Sequence, residues 1–447
     1  VLASVLPKET NSDDLLRWMQ IGPSQGVENE SISEYVERKK ATEDDRNGTL
    51  GEHYGYPRPF TQSPSESERK ELHETLRKHW DPTAGGGVIP FESLRYGLPT
   101  KANELNPIPS VILKVLLEYV PTAGAIESDV LHWADKINNK VEKRLSRYFP
   151  PGDDGLTPEN YISTYKVTCP TCGSEIPLVP KWWIRTASGS DDVVVKPHLE
   201  NGKISYECRI EPSDEFLEGF DPGEGPVKRG GDVECLDCNV VTESEELQKR
   251  LKQGEFEYDV YCVRTVDDSE NYSYRSPNKN DREAIKKARE QINSDFELST
   301  LLSTEIPSGE KTHEIRRYGF EEWRDIFSPR QLVTHYEYLQ AVRYVKPEIE
   351  AEYEPETAEA VITLLTLAAS KCIDRNSRLT DWDTNWGYPS RLFKGKNYSV
   401  KRVFVDNNLS VGAMGFESQI ERIVGSYEDL RSYLPDETPP AEVTNLD

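Results

Sequence analysis

At 447 residues the chain can bury two or three cores, while its formal charge of -25 argues against a protein that coats nucleic acid with a uniformly basic surface. Charged residues reach 30%, but 22 Tyr and 8 Trp exclude general disorder. No apolar run approaches the roughly 18 residues a membrane helix needs, so no membrane partner is expected.

No signal peptide is visible, and seven cysteines suit a reducing, cytoplasmic setting better than a disulfide framework. The acidity leaves two readings open: a solvated acidic surface suited to a salt-rich cytoplasm, or an acidic protein with one basic face that the sum hides.

In chain order, residues 1–75 are polar and broken by Gly, Pro and Ser (GYPRPFTQSPSESE), which predicts one or two short helices. From about 76 to 120 the pattern is strand, glycine turn, helix, strand, helix, with TKANEL (Thr100 to Leu105) as the second strand. Val130, Ala134, Ile137, Val141, Leu145 and Tyr148 recur every three or four residues and predict an amphipathic helix that FPPGDDG ends. Residues 161–242 read as a small β module rich in Cys, Gly and Asp. Beyond about 245 helices dominate: DREAIKKAREQIN; a helix capped by Ser328 and opened by Pro329; a buried helix from Glu356 to Ile373; and SQIERIVGSYEDLRSYL. NYSVKRVFVDN is extended, and no internal repeat is present.

The stretch HWDPTAGGGVIPF (His79 to Phe91) concentrates bare backbone at one point. A strand ending at Asp81, a turn of Gly85, Gly86 and Gly87, a helix over Ile89 to Tyr96 and a second strand ending in an acid make a nucleotide-binding half-unit. Glu104 lies 23 residues after Asp81, near the spacing at which an acid reaches ribose hydroxyls. The glycines are followed by Val-Ile-Pro, so the Gly-Lys-Ser/Thr of a phosphate loop is missing, as is the third glycine of a dinucleotide fingerprint. A ligand with ribose and adenine but no pyrophosphate fits, S-adenosylmethionine being the commonest. A turn that merely packs tightly is the competing reading.

Cys169-Pro-Thr-Cys172 and Cys235-Leu-Asp-Cys238 are two C-x-x-C knuckles, each able to turn two thiolates toward one tetrahedral zinc ion. Gly173 and Asn239 follow them and permit the tight left-handed turn that such knuckles use. The 62 residues between Cys172 and Cys235 exceed ordinary ribbon spacing and call for an inserted hairpin. Independent redox pairs or buried thiols are the alternatives. Cys208, Cys262 and Cys372 read as isolated core thiols, and His198 as a surface residue or a substitute ligand.

DPTAGGGVIPFESLRYG followed by ANELNPIPSVILK resembles the cofactor motif of amino-group DNA methyltransferases, and in particular of the adenine-specific DNA methylases that contain a zinc ribbon. CPTCGSEIPLVPKWW, YGFEEWRDIFSPRQL and ASKCIDRNSRLTDW extend the resemblance over most of the chain. The resemblance implies an α/β fold: part of a class I, Rossmann-like methyltransferase domain with an inserted zinc-ribbon β module and a mainly helical C-terminal region. It implies an N-terminal segment over 1–75, a cofactor half over 76–150, the ribbon over 161–242, the helical region over 243–435 and a linker over 436–447.

By the same resemblance Asp81, Gly85 and Gly87 line the methionine and ribose end of S-adenosylmethionine, and Glu104 binds the ribose hydroxyls. Pro82, Ala84, Gly86 and Asn106 complete that motif. Structural zinc is expected on the four knuckle cysteines. Trp182 and Trp183 are candidates to stack on a base of the DNA partner or, as an equal alternative, to bury the side of the ribbon. The weakly apolar LRKHWD leaves the extent of the first strand open.

The family's catalytic Asp/Asn-Pro-Pro-Tyr, which grips a flipped adenine, is not in this sequence. Asn106-Pro107-Ile108-Pro109, Phe149-Pro150-Pro151 and Thr438-Pro439-Pro440 each lack part of it, so no catalytic residue is expected here. The sequence opens VLASVLPKET, its only methionines are Met19 and Met414, and it closes TPPAEVTNLD, from which a fragment or half of a split enzyme is expected. A second polypeptide would then carry the tetrapeptide. A non-enzymatic zinc-ribbon nucleic-acid-binding protein and an RNA methyltransferase remain as other readings.

Overall fold

The computed structural model describes residues 64–76, 78–153, 155–186, 191–267, 269, 271–394, 398–436 and 438–446. Most of the polar segment expected over 1–75 lies outside them. In chain order the elements are α1 (Glu66–Thr75), β1 (His79–Asp81), α2 (Val88–Arg95), β2 (Thr100–Asn103), α3 (Pro107–Lys114) and α4 (Glu127–Leu145). There follow β3 (Thr157–Thr168), β4 (Glu175–Pro177), β5 (Trp183–Arg185), β6 (Val193–Glu200), β7 (Lys203–Ile210), β8 (Val233–Glu234), β9 (Val241–Thr242) and α5 (Ser244–Lys252). Then come β10 (Glu257–Val266), β11 (Tyr272–Arg275), α6 (Lys279–Ser294), α7 (Pro329–Glu352), α8 (Pro355–Lys371), β12 (Trp382–Asp383), β13 (Tyr388–Pro389), β14 (Val403–Asn407), α9 (Phe416–Ser432) and β15 (Glu442–Thr444). The chain is thus mixed α/β, with several separate sheets. No helix among the described residues is long and apolar enough to cross a membrane.

Two compact units divide the chain, one ending its first segment at Leu131 and adding Glu348–Leu364 and Arg422–Asp447, the other made of His132–Pro347 and Leu365–Glu421. In the first, β1, β2 and β15 form a parallel sheet in the order β1-β2-β15. The β1-α2-β2 unit is the strand, turn, helix and strand that the sequence predicts. β1 is only three residues long and Trp80 within it is exposed, in keeping with its weakly apolar sequence. β15 is held from the side as well as by its ladder: Val443 N–H donates to Glu118 Oε1 at 2.9 Å and Ala441 N–H to the Leu117 carbonyl at 2.8 Å.

The second unit is organised by β3, the centre of an antiparallel sheet ordered β11-β10-β3-β14, with β4 also paired to β3. β10 belongs to the region read as mainly helical. From Asp259 to Val266 it is buried throughout, so its sequence shows no alternation of apolar and polar residues for a period-two reading to find. β6 and β7 form a hairpin across a two-residue turn at Asn201-Gly202, and β5 joins it in a second sheet. Ile162, Val179, Trp182, Val194, Tyr206, Tyr261 and Val405 share one apolar core built from strands of both sheets.

α4 buries the predicted stripe, with Ala134, Ile137, Val141 and Leu145 all at most 2% exposed. α7 starts as its sequence signals: Gln331 N–H donates to Ser328 Oγ at 3.2 Å, and the Gln331 side chain accepts from Ser328 N–H at 2.8 Å.

Beside β3 the interior is polar. Arg330, fully buried, donates to Asp406 at 3.1 Å and stacks 3.8 Å from the Tyr161 ring centre, while Ser328 Oγ donates to the other Asp406 oxygen at 2.6 Å. Burial pushes the Asp406 carboxyl above its ordinary pKa, and Arg330 and the Ser328 hydroxyl oppose that rise. Removing Arg330 strands a carboxylate in the interior. Arg330→Met is therefore expected to cost about 3–5 kcal/mol of unfolding free energy, and Arg330→Met with Asp406→Leu to recover much of that loss. Urea unfolding of the two variants checks both values.

Candidate functional site

The two cysteine knuckles are built alike. The first closes the β3–β4 hairpin: Cys169 N–H donates to the Ser174 carbonyl at 2.8 Å and Gly173 N–H to the Cys169 carbonyl at 3.1 Å. The second closes β8–β9: Cys235 N–H donates to the Val240 carbonyl at 3.0 Å and Asn239 N–H to the Cys235 carbonyl at 3.0 Å. Gly173 and Asn239 occupy the same left-handed position, with φ of 79° and 57°, as the sequence pattern anticipates. The β5-β6-β7 sheet and a short helix over Asp214–Leu217 fill the long spacer.

Together the knuckles gather four sulfurs within 4.8 Å of one another. Cys169 and Cys238 approach to 3.7 Å and Cys172 and Cys235 to 3.6 Å. Ligands about 2.3 Å from a tetrahedral zinc are separated by about 3.8 Å, so the spacing and the soft donor set both fit that ion. Hydrogen bonds from Ser174 draw the Cys172 thiol down to about 6, whereas burial pushes the Cys235 thiol up to about 12. A divalent cation removes the contrast, because every ligand binds it as thiolate. Ser174 Oγ also donates to Asp237 at 2.5 Å and so ties one knuckle to the other, a link that sequence spacing does not show. Beneath the cluster Val167, Ile176, Val233, Leu247, Leu251 and Phe404 form a separate apolar core with Cys169 and Cys235.

His198 takes no part in the cluster and pairs on the surface with Glu207 at 3.0 Å. Cys372 is an isolated core thiol, but Cys208 and Cys262 are not isolated: strands β7 and β10 bring their sulfurs to 3.7 Å. Trp182 is 1% exposed, which removes it as a base-stacking platform. Its neighbour Trp183 lines a cavity of about 490 Å³ with Lys181, Asp381, Trp382, Arg391 and Lys401. No motif in the sequence marks that cavity, because its walls come from segments two hundred residues apart.

The glycine turn lies in the other unit. Asp81 Oδ1 accepts from Thr83 N–H at 3.1 Å, the Pro82 carbonyl from Asn103 Nδ2 at 3.3 Å, and the Ala84 carbonyl from Gly87 N–H at 2.9 Å. Gly85 N–H donates to Glu104 Oε2 at 2.9 Å, and the other oxygen of Glu104 accepts from Asn106 N–H at 3.0 Å. The turn and the acid at the end of β2 therefore meet. Asn106 caps α3, its side chain accepting from Ile108 N–H at 3.1 Å.

The three glycines are not equivalent. Gly87 caps α2 at φ 82°, and a Cβ there would come within 2.6 Å of the buried Leu113 side chain. Gly86 is exposed, outside the left-handed region, and a Cβ on it would meet nothing within 4 Å among the described residues. Trp80, Val88 and Ile108, on the elements that flank the turn, are 67%, 73% and 67% exposed.

Compared with known protein families, curated proteins and solved structures, the chain matches none.

Metal analysis of the purified protein is expected to give one zinc per chain. Cys235→Ser should lose that zinc and, because Cys235 belongs to the apolar core beneath the cluster, lower the melting temperature by several degrees. Full stability of the chelated or Cys235→Ser protein would contradict a structural role.

Proposed function

We propose that the chain is the cofactor-binding part of an S-adenosylmethionine-dependent DNA methyltransferase that modifies adenine N6. The observation that carries this reading is the meeting of the glycine turn with Glu104 at the ends of two parallel strands, β1 and β2. That is where a class I methyltransferase fold holds the ribose of its methyl donor.

Asp81, Pro82, Ala84 and the three glycines would form the floor of the site, and Glu104 would accept hydrogen bonds from the ribose hydroxyls. Bound there, S-adenosylmethionine would supply a sulfonium-borne methyl group for direct transfer to an exocyclic amine. The open backbone at Gly86 leaves room for a ligand to lie against the turn, and the exposed apolar side chains beside it suit an adenine ring. The side chains that grip the target base would come from an Asp/Asn-Pro-Pro-Tyr supplied by further sequence or a second polypeptide. The zinc cluster is structural in this scheme, since all four of its ligand positions are filled by cysteine.

A non-enzymatic zinc-ribbon nucleic-acid-binding protein is the second reading, favoured by the cysteine cluster being the more completely built of the two sites.

Calorimetric titration of the zinc-loaded chain with S-adenosylmethionine separates them. Saturable binding with a dissociation constant below about 1 mM is expected. Gly86→Val should weaken it at least about tenfold, or 1.4 kcal/mol, without shifting the melting temperature. Gly87→Val should instead destabilise the fold itself, by about 1–2 kcal/mol from the left-handed backbone alone. Absence of binding by the intact chain would remove the transferase reading.

A further inference from the structure

We propose that an open groove beside α4 binds the sugar-phosphate backbone of a nucleic acid through Lys136, Lys140, Lys143, Arg144 and Arg147, with Tyr344 as a stacking platform. The inference rests on the nucleic-acid partner of the reading above and names the surface that would hold it.

Both the helix and the groove argue for a polyanion. At about 100° per residue, these five cations fall within an arc of about 100° on α4 and the turn that follows it. The helix's carboxylates over the same stretch, Asp135 and Glu142, point well away from that arc, and the buried stripe lies between the two on one side. An uninterrupted basic face is the one that a net charge of -25 conceals. From Lys136 to Arg147 the row is about 16 Å long, the rise of about five base-pair steps.

The groove has a volume of about 860 Å³ and is walled by Lys143, Arg144, Arg147, Tyr336, Arg343 and Tyr344. Its acids are few and committed. Glu337 is buried and shared, with Arg144 at 2.8 Å and Arg147 at 3.8 Å, so one carboxylate fixes two guanidiniums and leaves an excess of positive charge. Asp295 accepts from Tyr336 at 3.2 Å, and Glu297 pairs with Arg343. Guanidiniums held in place suit phosphate oxygens, which they can grip with two parallel hydrogen bonds. Tyr344 is 55% exposed, and Lys140 Nζ lies 2.9 Å from its ring centre, so a flat aromatic surface and a cation stand together. An acidic peptide would use the cations but has no need of the ring.

Fluorescence anisotropy with labelled single-stranded and duplex DNA of about 20 nucleotides, without S-adenosylmethionine and from about 50 to 200 mM salt, tests the assignment. Wild-type affinity is expected to fall steeply with salt. The triple variant Lys136→Gln, Lys140→Gln and Lys143→Gln should bind at least tenfold more weakly, with a salt slope smaller by about 2–3. Tyr344→Ala should weaken single-strand binding and leave the slope unchanged. A control of equal charge on other helices, Lys249→Gln, Lys252→Gln and Lys286→Gln, should bind as wild type does.

Equal binding by the two triple variants, no salt-dependent DNA binding by wild type, or binding of polyglutamate as tight as that of DNA would each overturn the proposal. The transferase reading fails separately: loss of cofactor binding with DNA binding retained removes it and leaves the groove, and the converse result removes the groove alone.

Discussion

Strand β3 must be both central and polar, and the larger unit is arranged around that requirement. Glu159, Asn160, Ser163 and Thr164 are buried on it, where an unmatched polar group is costly. The neighbours supply most of the partners: Asn160 donates to Asn407 at 2.7 Å, Tyr161 to Asp281 at 2.7 Å, and Glu159 pairs with Arg264 at 3.3 Å, while the Ser163 hydroxyl has no partner among the described residues. Asp281 is in turn gripped by both arms of Arg275, at 2.6 and 2.9 Å. Burial alone would raise its carboxyl, yet Arg275 and the Asn278 backbone bring it below the ordinary carboxylate range. Such a network is specific because few other pairings of the strands would satisfy it.

The far end of the same strand becomes the first cysteine knuckle. Its antiparallel ladder with β4 fixes where Cys169 and Cys172 point, and α5 and Phe404 pack under the cluster. A metal there would fasten two hairpins that are remote in sequence, and the apolar core below would reinforce the same contact. Fold and cysteine cluster therefore support each other, whereas Gly86 in the glycine turn of the other unit is exposed.

Much of this organisation can be read from residues whose meaning is local. Ser328 and the stripe on α4 act through neighbours three or four positions away, so their spacing is enough to predict their roles. The cysteine knuckles are legible for the same reason, since each sets its own turn. β10 is different: with both faces buried, its sequence loses the alternation that marks a strand. Trp182 and Trp183 are indistinguishable as a pair in sequence, yet the pleat sends one into the core and the other toward a cavity.

By itself the sequence determined the knuckles, the glycine turn with its distant acid, the Ser328 cap and the amphipathic helices, because each depends on short-range stereochemistry or on a fixed ligand geometry. Tertiary structure alone decided that the four thiols converge, that Cys208 meets Cys262, and that one buried carboxylate serves two arginines at a basic groove. Those outcomes follow from how strands and helices distant in sequence are paired and packed. Net charge and periodicity carry no record of that pairing.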